Sequence, residues 1–337
     1  MLMRRWLVLC CVLGSLPGWA AEIPLDLDSV LKPRQPATAV FDGRILQVAA
    51  SGTLRAWRIA DLQQDPEFVR ALNSHEMMLL AADATTLYGS DLKEVFRWNA
   101  AEKSWGVVGS VAKVDKDPIQ QLVATDVGPV LFREMTVEVV VGKRLIKIPP
   151  PKNEKGPVRV RALALHVVGS QLWFGTGYGE WGGELVGVNL KTGAWSRYWD
   201  DLHYVTGITH DSAGRLWVGW SMSHFVSDMM LRSHGPDAKV TQAFPQQKDR
   251  YLQQLAWDAT TQRLYCVDQL NLAWLKKGVV SELAPLGDLP YGEEPNAVGV
   301  APGVSDLMAL GEGRVLIVPP RGRPRVFANG RVTVLSL

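Results

Sequence analysis
Leu172-Trp173-Phe174-Gly175-Thr176 and Leu216-Trp217-Val218-Gly219-Trp220 are two copies of one strand phrase, 44 residues apart. Weaker copies stand at Ile45-Leu46-Gln47-Val48, Leu87-Tyr88-Gly89-Ser90, Val130-Leu131-Phe132, Leu264-Tyr265-Cys266-Val267 and Leu307-Met308-Ala309-Leu310. From Ile45 onward the steps between copies are 42, 43, 42, 44, 48 and 43 residues. A period of that size, filled with short apolar strands, marks a four-stranded β-propeller blade. The chain therefore reads as all-β, a propeller of seven blades. A sandwich array would need no constant period.

Each phrase follows a second apolar strand and a tight connection, usually opened by Asp: Asp42-Gly43, Asp83-Ala84-Thr85-Thr86, Asp126-Val127-Gly128-Pro129, Asp211-Ser212-Ala213-Gly214 and Asp258-Ala259-Thr260-Thr261. An Asp carboxylate at the start of such a turn accepts nearby backbone N–H groups, and Gly supplies positive φ. Inner strands are expected to begin near residues 38, 77, 119, 162, 205, 252 and 296, with the phrase as the second strand of each blade. Trp173, Trp217 and Tyr265 then fall where a large ring fills the gap between neighbouring sheets. Ile23, Leu25 and Leu27 alternate with Pro24, Asp26 and Asp28, a half-buried strand pattern. That segment, residues 22–32, is expected to add an outer strand to the last blade, residues 296–337, and so close the ring.

The first twenty residues read as a signal peptide. Arg4-Arg5 are its basic region, Trp6 to Leu13 its apolar region and Gly18-Trp19-Ala20 its cleavage site. The apolar run is too short for a membrane span, so a periplasmic or secreted product without a transmembrane anchor is expected, one propeller domain over residues 21–337. The twin-arginine pattern lacks its flanking residues, and neither Cys10 nor Cys11 follows a small residue as a lipidation site requires. Cleavage removes Cys10, Cys11, Arg4 and Arg5, leaving Cys266 alone and lowering the formal charge from +2 to zero. Cys266, on a second strand, reads as a small buried hydrophobe. A neutral chain without a basic stripe argues against a nucleic-acid partner.

The loops that join second to third strands share one face, the top, with the links from one blade to the next. In the fourth blade this loop is Gly177-Tyr178-Gly179-Glu180-Trp181-Gly182-Gly183. Its glycines free the backbone around two aromatics and a carboxylate, a composition that suits recognition as well as a bulged hairpin. Asp200-Asp201-Leu202-His203-Tyr204 and the loop from Ser221 to Asp228 emerge beside it. Candidate binding residues are therefore Tyr178, Glu180, Trp181, Asp201, His203, His224 and Asp228. A metal near His203 and His224 has the residue types but no recognised spacing, so no cofactor is assigned. His210 and His234 are close in sequence, but strand order sends them to the opposite face. Pro149 to Pro157 reads as an extended connector with polyproline II character.

Asp211-Ser212-Ala213-Gly214-Arg215-Leu216-Trp217-Val218-Gly219 resembles the repeat of the two-component-regulator propellers, periplasmic sensor domains of bacterial signalling proteins. Ser170-Gln171-Leu172-Trp173-Phe174-Gly175-Thr176 is a partial second match. The resemblance implies the fold and an extracytoplasmic setting, and carries over no functional residue. Two functions stay open. One is a non-enzymatic binding or scaffold propeller that takes a protein, peptide or glycan in the cell envelope, as an inhibitor, immunity or sensor-type factor. The other is a small-molecule hydrolase or lyase with acids and histidines around the channel. The expected inner strands carry almost no acids, which favours binding.

Overall fold
The computed structural model describes residues 37–336, apart from residues 50–51, 73–74, 112–116, 134–135, 143, 151, 154–155, 158–161, 178–181, 224–226, 269–270, 277–278, 287–303 and 320–322. The expected signal peptide and the 22–32 segment lie outside the described residues.

Blade 1 holds β1 (Ala37–Phe41), β2 (Arg44–Val48) and β3 (Leu54–Arg58). Its fourth position is filled by Gln63 to Asp65, which pair with β3 through Gln63 O to Arg58 N and Asp65 N to Ala56 O, 2.9 Å each. Asp65 then starts α1 (Pro66–Leu72), accepting Phe68 N on its side chain at 3.0 Å. An Asp cap followed by Pro in the first turn is a helix start legible in sequence. Blade 2 holds β4 (Leu79–Ala82), β5 (Leu87–Ser90), β6 (Glu94–Asn99) and β7 (Ser104–Ser110). Blade 3 holds β8 (Ile119–Thr125), β9 (Gly128–Arg133), β10 (Val137–Val141) and β11 (Arg144–Ile148). The Pro-rich connector is not wholly extended: β12 (Lys152–Asn153) and β13 (Gly156–Pro157) pair as a small hairpin within it. Blade 4 holds β14 (Ala164–Val168), β15 (Gln171–Gly177), β16 (Gly183–Asn189) and β17 (Trp195–Asp200). Blade 5 holds β18 (Tyr204–His210), β19 (Leu216–Ser223), β20 (Ser227–His234) and β21 (Val240–Ala243), with β22 (Gln247–Lys248) added to β20. Blade 6 holds β23 (Leu252–Asp258), β24 (Arg263–Asp268), β25 (Asn271–Lys276) and β26 (Val279–Pro285). Blade 7 holds β27 (Asp306–Gly311), β28 (Arg314–Val318), β29 (Arg325–Ala328) and β30 (Arg331–Val334). Within the blades the pairings are antiparallel and, apart from β22 on β20, join consecutive strands, so this is a seven-bladed β-propeller.

Alternation along each second strand drives the assembly, because successive side chains point to opposite faces of a sheet. Leu172 and Phe174 pack against blade 3, whereas Trp173 packs against blade 5. Trp217 likewise enters the seam with blade 6 and Tyr265 that with blade 7. The glycine of the phrase makes room for the next blade: a Cβ on Gly175 would strike Val205, and one on Gly219 would strike Leu252. The Asp turns form as their composition requires. Asp83 accepts the amides of Thr85 and Thr86 at 2.8 Å, and Asp211 those of Ala213 and Arg215 at 3.0 Å. Asp258 goes further, accepting Gly313 N of blade 7 at 2.7 Å.

Two assignments are corrected. In blade 3 it is Leu131, not Val130, that faces the preceding blade, so the phrase sits one residue later. In blade 7 Leu307-Met308-Ala309-Leu310 lies in the inner strand β27, which starts at Asp306, and is not the second strand. The second strand is Arg314–Val318, and Val315 stands 51 residues after its counterpart Leu264. The long link over residues 287–303 displaces the last blade from the period.

Closure takes place between blades 7 and 1, where Ile45 and Trp57 pack with Leu316, Val318, Val326 and Leu335. Trp57 Nε1 donates to Ser336 O at 2.8 Å. The outer position of blade 7, expected for residues 22–32, is held by β30, so the four strands of that blade are consecutive.

Candidate functional site
The facing ends of β15 and β16 and the link from β17 to β18 meet on the top face between blades 4 and 5. Gly177 pairs with Gly183, and Gly183 in turn with Asp200, which seats the loop base on the link. Gly182 has φ +76°, and a Cβ there would strike the backbone of Asp200 and Asp201. Close approach as well as flexibility requires glycine here.

Asp200 organises the link. Its Oδ1 accepts Leu202 N at 3.0 Å, His203 N at 2.8 Å and His203 Nδ1 at 3.0 Å. Its Oδ2 accepts Arg232 Nη1 at 2.7 Å. The other ring nitrogen, His203 Nε2, lies 2.8 Å from Asp228 Oδ1, and Gln246 donates to the second oxygen of Asp228. His203 and Asp228 are 3 % and 4 % exposed. Ionised carboxylates only accept, so an imidazole between two of them must donate from both nitrogens and is a cation. Burial opposes that charge, but the bonds and negative charges of Asp200 and Asp228 outweigh it and raise the His203 pKa. Burial likewise opposes ionisation of Asp200, yet the bonds from His203 and Arg232 hold its carboxyl well below the usual range. Arg232 also lies over the rings of Tyr198 and Trp220, at 5.8 and 5.3 Å.

Of the sequence-derived candidates, Tyr178, Glu180, Trp181 and His224 lie outside the described residues. Asp201 is exposed and accepts Trp199 Nε1 at 2.6 Å. His203 and Asp228 are brought together, but under the surface. Beside Asp201, apolar side chains reach solvent here: Leu202 of the link is 59 % exposed, Trp199 near the end of β17 47 %, and Leu163, beside Gly177 and Tyr204, 40 %. Sequence reasoning missed Arg232, Trp199, Leu202 and Leu163. For Arg232 a signal existed, since it stands four residues from Asp228 on one strand and therefore on the same face.

His210 and His234 sit at the bottom ends of β18 and β20, as strand order requires. His234 Nδ1 lies 2.8 Å from Ala238 O, and Trp220 Nε1 donates to its Nε2 at 3.3 Å, which keeps the ring neutral. Burial lowers its pKa to about 4. His210 Nδ1 is 2.7 Å from His166 Nε2, and burial followed by the charge of His210 lowers the His166 pKa to about 3. Cys266 is fully buried, and burial pushes its thiol pKa up, so it behaves as packing. Among the described residues no group of three or more His, Cys, Asp or Glu is arranged to hold a metal ion, and no helix is long and apolar enough to cross a membrane.

No family model and no curated protein matches the chain. Similar solved structures include the Dos1 propeller, at 12 % identity and TM-score 0.55, covering 90 % of this chain and 84 % of that one. YCF48 bound to D1 peptide is similar at 11 % identity and TM-score 0.55, covering 85 % and 88 %. The extracellular domain of BT4673 from B. thetaiotaomicron, described as a one-component system, is similar at 12 % identity and TM-score 0.51. That alignment covers 89 % of this chain, which spans 38 % of the length of the BT4673 chain. At these identities the likeness establishes the fold alone, a seven-bladed β-propeller.

Proposed function
We propose that this protein is a non-enzymatic binding propeller of the cell envelope, exported on residues 1–20, that takes a protein or peptide partner on its top face at blades 4 and 5. One observation carries the reading. The buried Asp200–His203–Asp228 bridge with Arg232 pins the link between the blades while Leu202 on it and Trp199 at the end of β17 stay exposed. A rigid scaffold under exposed apolar anchors loses little entropy on association, which is what a recognition surface needs. YCF48 is similar in fold and is bound to a peptide. The extracellular BT4673 domain supports an envelope setting, as do the basic and apolar regions of residues 1–20. His203, a candidate base for the hydrolase or lyase reading, has both nitrogens engaged by carboxylates.

The test is affinity capture from envelope extract with the full chain and with Trp199→Ala/Leu202→Ala, followed by mass spectrometry. The expected result is a partner retained by the parent chain and lost with the variant, at unchanged circular dichroism. Equal capture by both chains would move the working surface elsewhere. Capture abolished by prior glycosidase treatment would make the ligand a glycan instead.

A further inference from the structure
At the top mouth of the central channel the inner strands of every blade but the fifth line a cavity of about 80 Å³. Two of these strands are irregular there. In β8 the pairing steps from Ile119 to Gln121 and in β23 from Gln253 to Leu255, so Gln120 and Gln254 are each an extra residue opposite none on the second strand. A bulge of this kind re-aims a side chain, and both extra residues line the cavity. Gln254 is held there under strain. Its φ is +43°, a left-handed conformation that residues with a Cβ rarely adopt. Gly207 of the neighbouring inner strand makes room for it, since a Cβ there would lie 2.8 Å from the Gln254 Cα. Strain of this kind persists where the surroundings impose it, and it gathers at binding sites. The Gln254 amide nitrogen donates to Ser305 O at 3.2 Å and reaches Leu163 O at 3.5 Å, tying blade 6 to blade 7 and, across the mouth, to blade 4.

The bonding capacity left over defines the ligand. With its nitrogen engaged, Gln254 offers Oε1 as an acceptor. Ser305 Oγ donates to Val318 O at 2.9 Å and keeps its lone pairs for a donor in the cavity. Asp306 accepts Leu307 N at 2.8 Å on Oδ1, which leaves Oδ2. The exposed Gln121 carboxamide both donates and accepts. Among the described residues the lining includes no Lys, Arg or His to hold an anion, and one carboxyl group where a divalent cation would seek several. An ammonium group, with donors only, leaves the Gln121 N–H groups unmatched, whereas a hydroxyl both donates and accepts. Size sets the rest: a cavity of about 150 Å³ holds benzene, so this one takes a group of about four heavy atoms, such as the HO–C–C–OH edge of a sugar or polyol. We propose that the channel mouth binds a vicinal diol, its hydroxyls on Gln254, Asp306, Ser305 and Gln121. The diol can belong to an acyclic polyol or to a sugar ring. Trp199 and Leu202 do not line the cavity, so this site is independent of the partner surface at blades 4 and 5.

The test is saturation-transfer NMR titration of the full chain with glycerol and with the methyl glycosides of glucose, galactose and mannose. The control is 1,2-dimethoxyethane, which has the same O–C–C–O core and no donor. Saturable binding of at least one diol probe and none of the diether is expected. Gln254→Leu, which removes an acceptor, and Asp306→Asn, which removes a charge-assisted bond, should each weaken it about fivefold. A glycoside that binds more tightly than glycerol assigns a sugar, and glycerol binding at least as tightly as every glycoside assigns an acyclic polyol. Absence of saturable binding by all the diol probes, equal binding of the diether, or undiminished affinity in either folded variant would overturn the proposal. Thermal melts establish that each variant is folded.

Discussion

Replacing His203 by Leu tests whether the buried bridge is what holds blades 4 and 5 in register at the top face. The substitution removes two bonds, at 3.0 and 2.8 Å, between an imidazolium and two carboxylates. Asp200 keeps Arg232 and two backbone amides, so its charge stays compensated. Asp228, with its side chain 5 % exposed, keeps Gln246 and loses its cation. Removing one partner of a buried charge pair costs about 3–5 kcal/mol, which for a domain of this size corresponds to a fall in melting temperature of roughly 5–8 °C. The pH dependence separates this cause from simple loss of packing. The His203 pKa is raised on folding, so its contribution is complete below the ordinary value of 6.5 and is lost as pH rises through the higher folded value. The Asp200 pKa is lowered, so its contribution is present above the ordinary carboxyl value of 3.8 and is lost as pH falls through the folded one. The bridge is therefore strongest between about pH 4 and 6.5. Urea denaturation followed by Trp fluorescence from pH 5 to 9 should show the largest gap between parent and variant at the acidic end, narrowing toward pH 9. A gap below about 1 kcal/mol, the scale of an exposed ion pair, or one independent of pH, would refute the reasoning.

Trp57→Phe keeps an aromatic ring in the closing seam but loses the bond to Ser336 O. It should cost about 1–3 kcal/mol and speed proteolytic trimming of the C-terminal strand, read by intact-mass spectrometry. Asp306→Asn should stabilise the protein at neutral pH. Burial pushes the Asp306 pKa up to about 6, so ionisation costs stability as pH rises from the unfolded value near 4 to about 6. The variant's advantage, up to about 3 kcal/mol above pH 6, should vanish near pH 4 in denaturant titrations.

The strand phrase, its period and its alternation were enough to specify the blades, because each blade buries two faces and period-two patterning admits one register. The turns opened by Asp83, Asp211 and Asp258 were equally local, since each of these carboxylates bonds amides within a few residues of itself. Tertiary structure decided what depends on partners far along the chain. The link over residues 287–303 moved the last blade off the period, so Leu307 to Leu310 read as a second strand although they form an inner one. His203 and Asp228 were legible as neighbours, but only packing shows them buried around a charge shared with Arg232 rather than displayed. The apolar surface of Leu202 and Trp199 carries no motif, because exposure is a property of what fails to cover a residue.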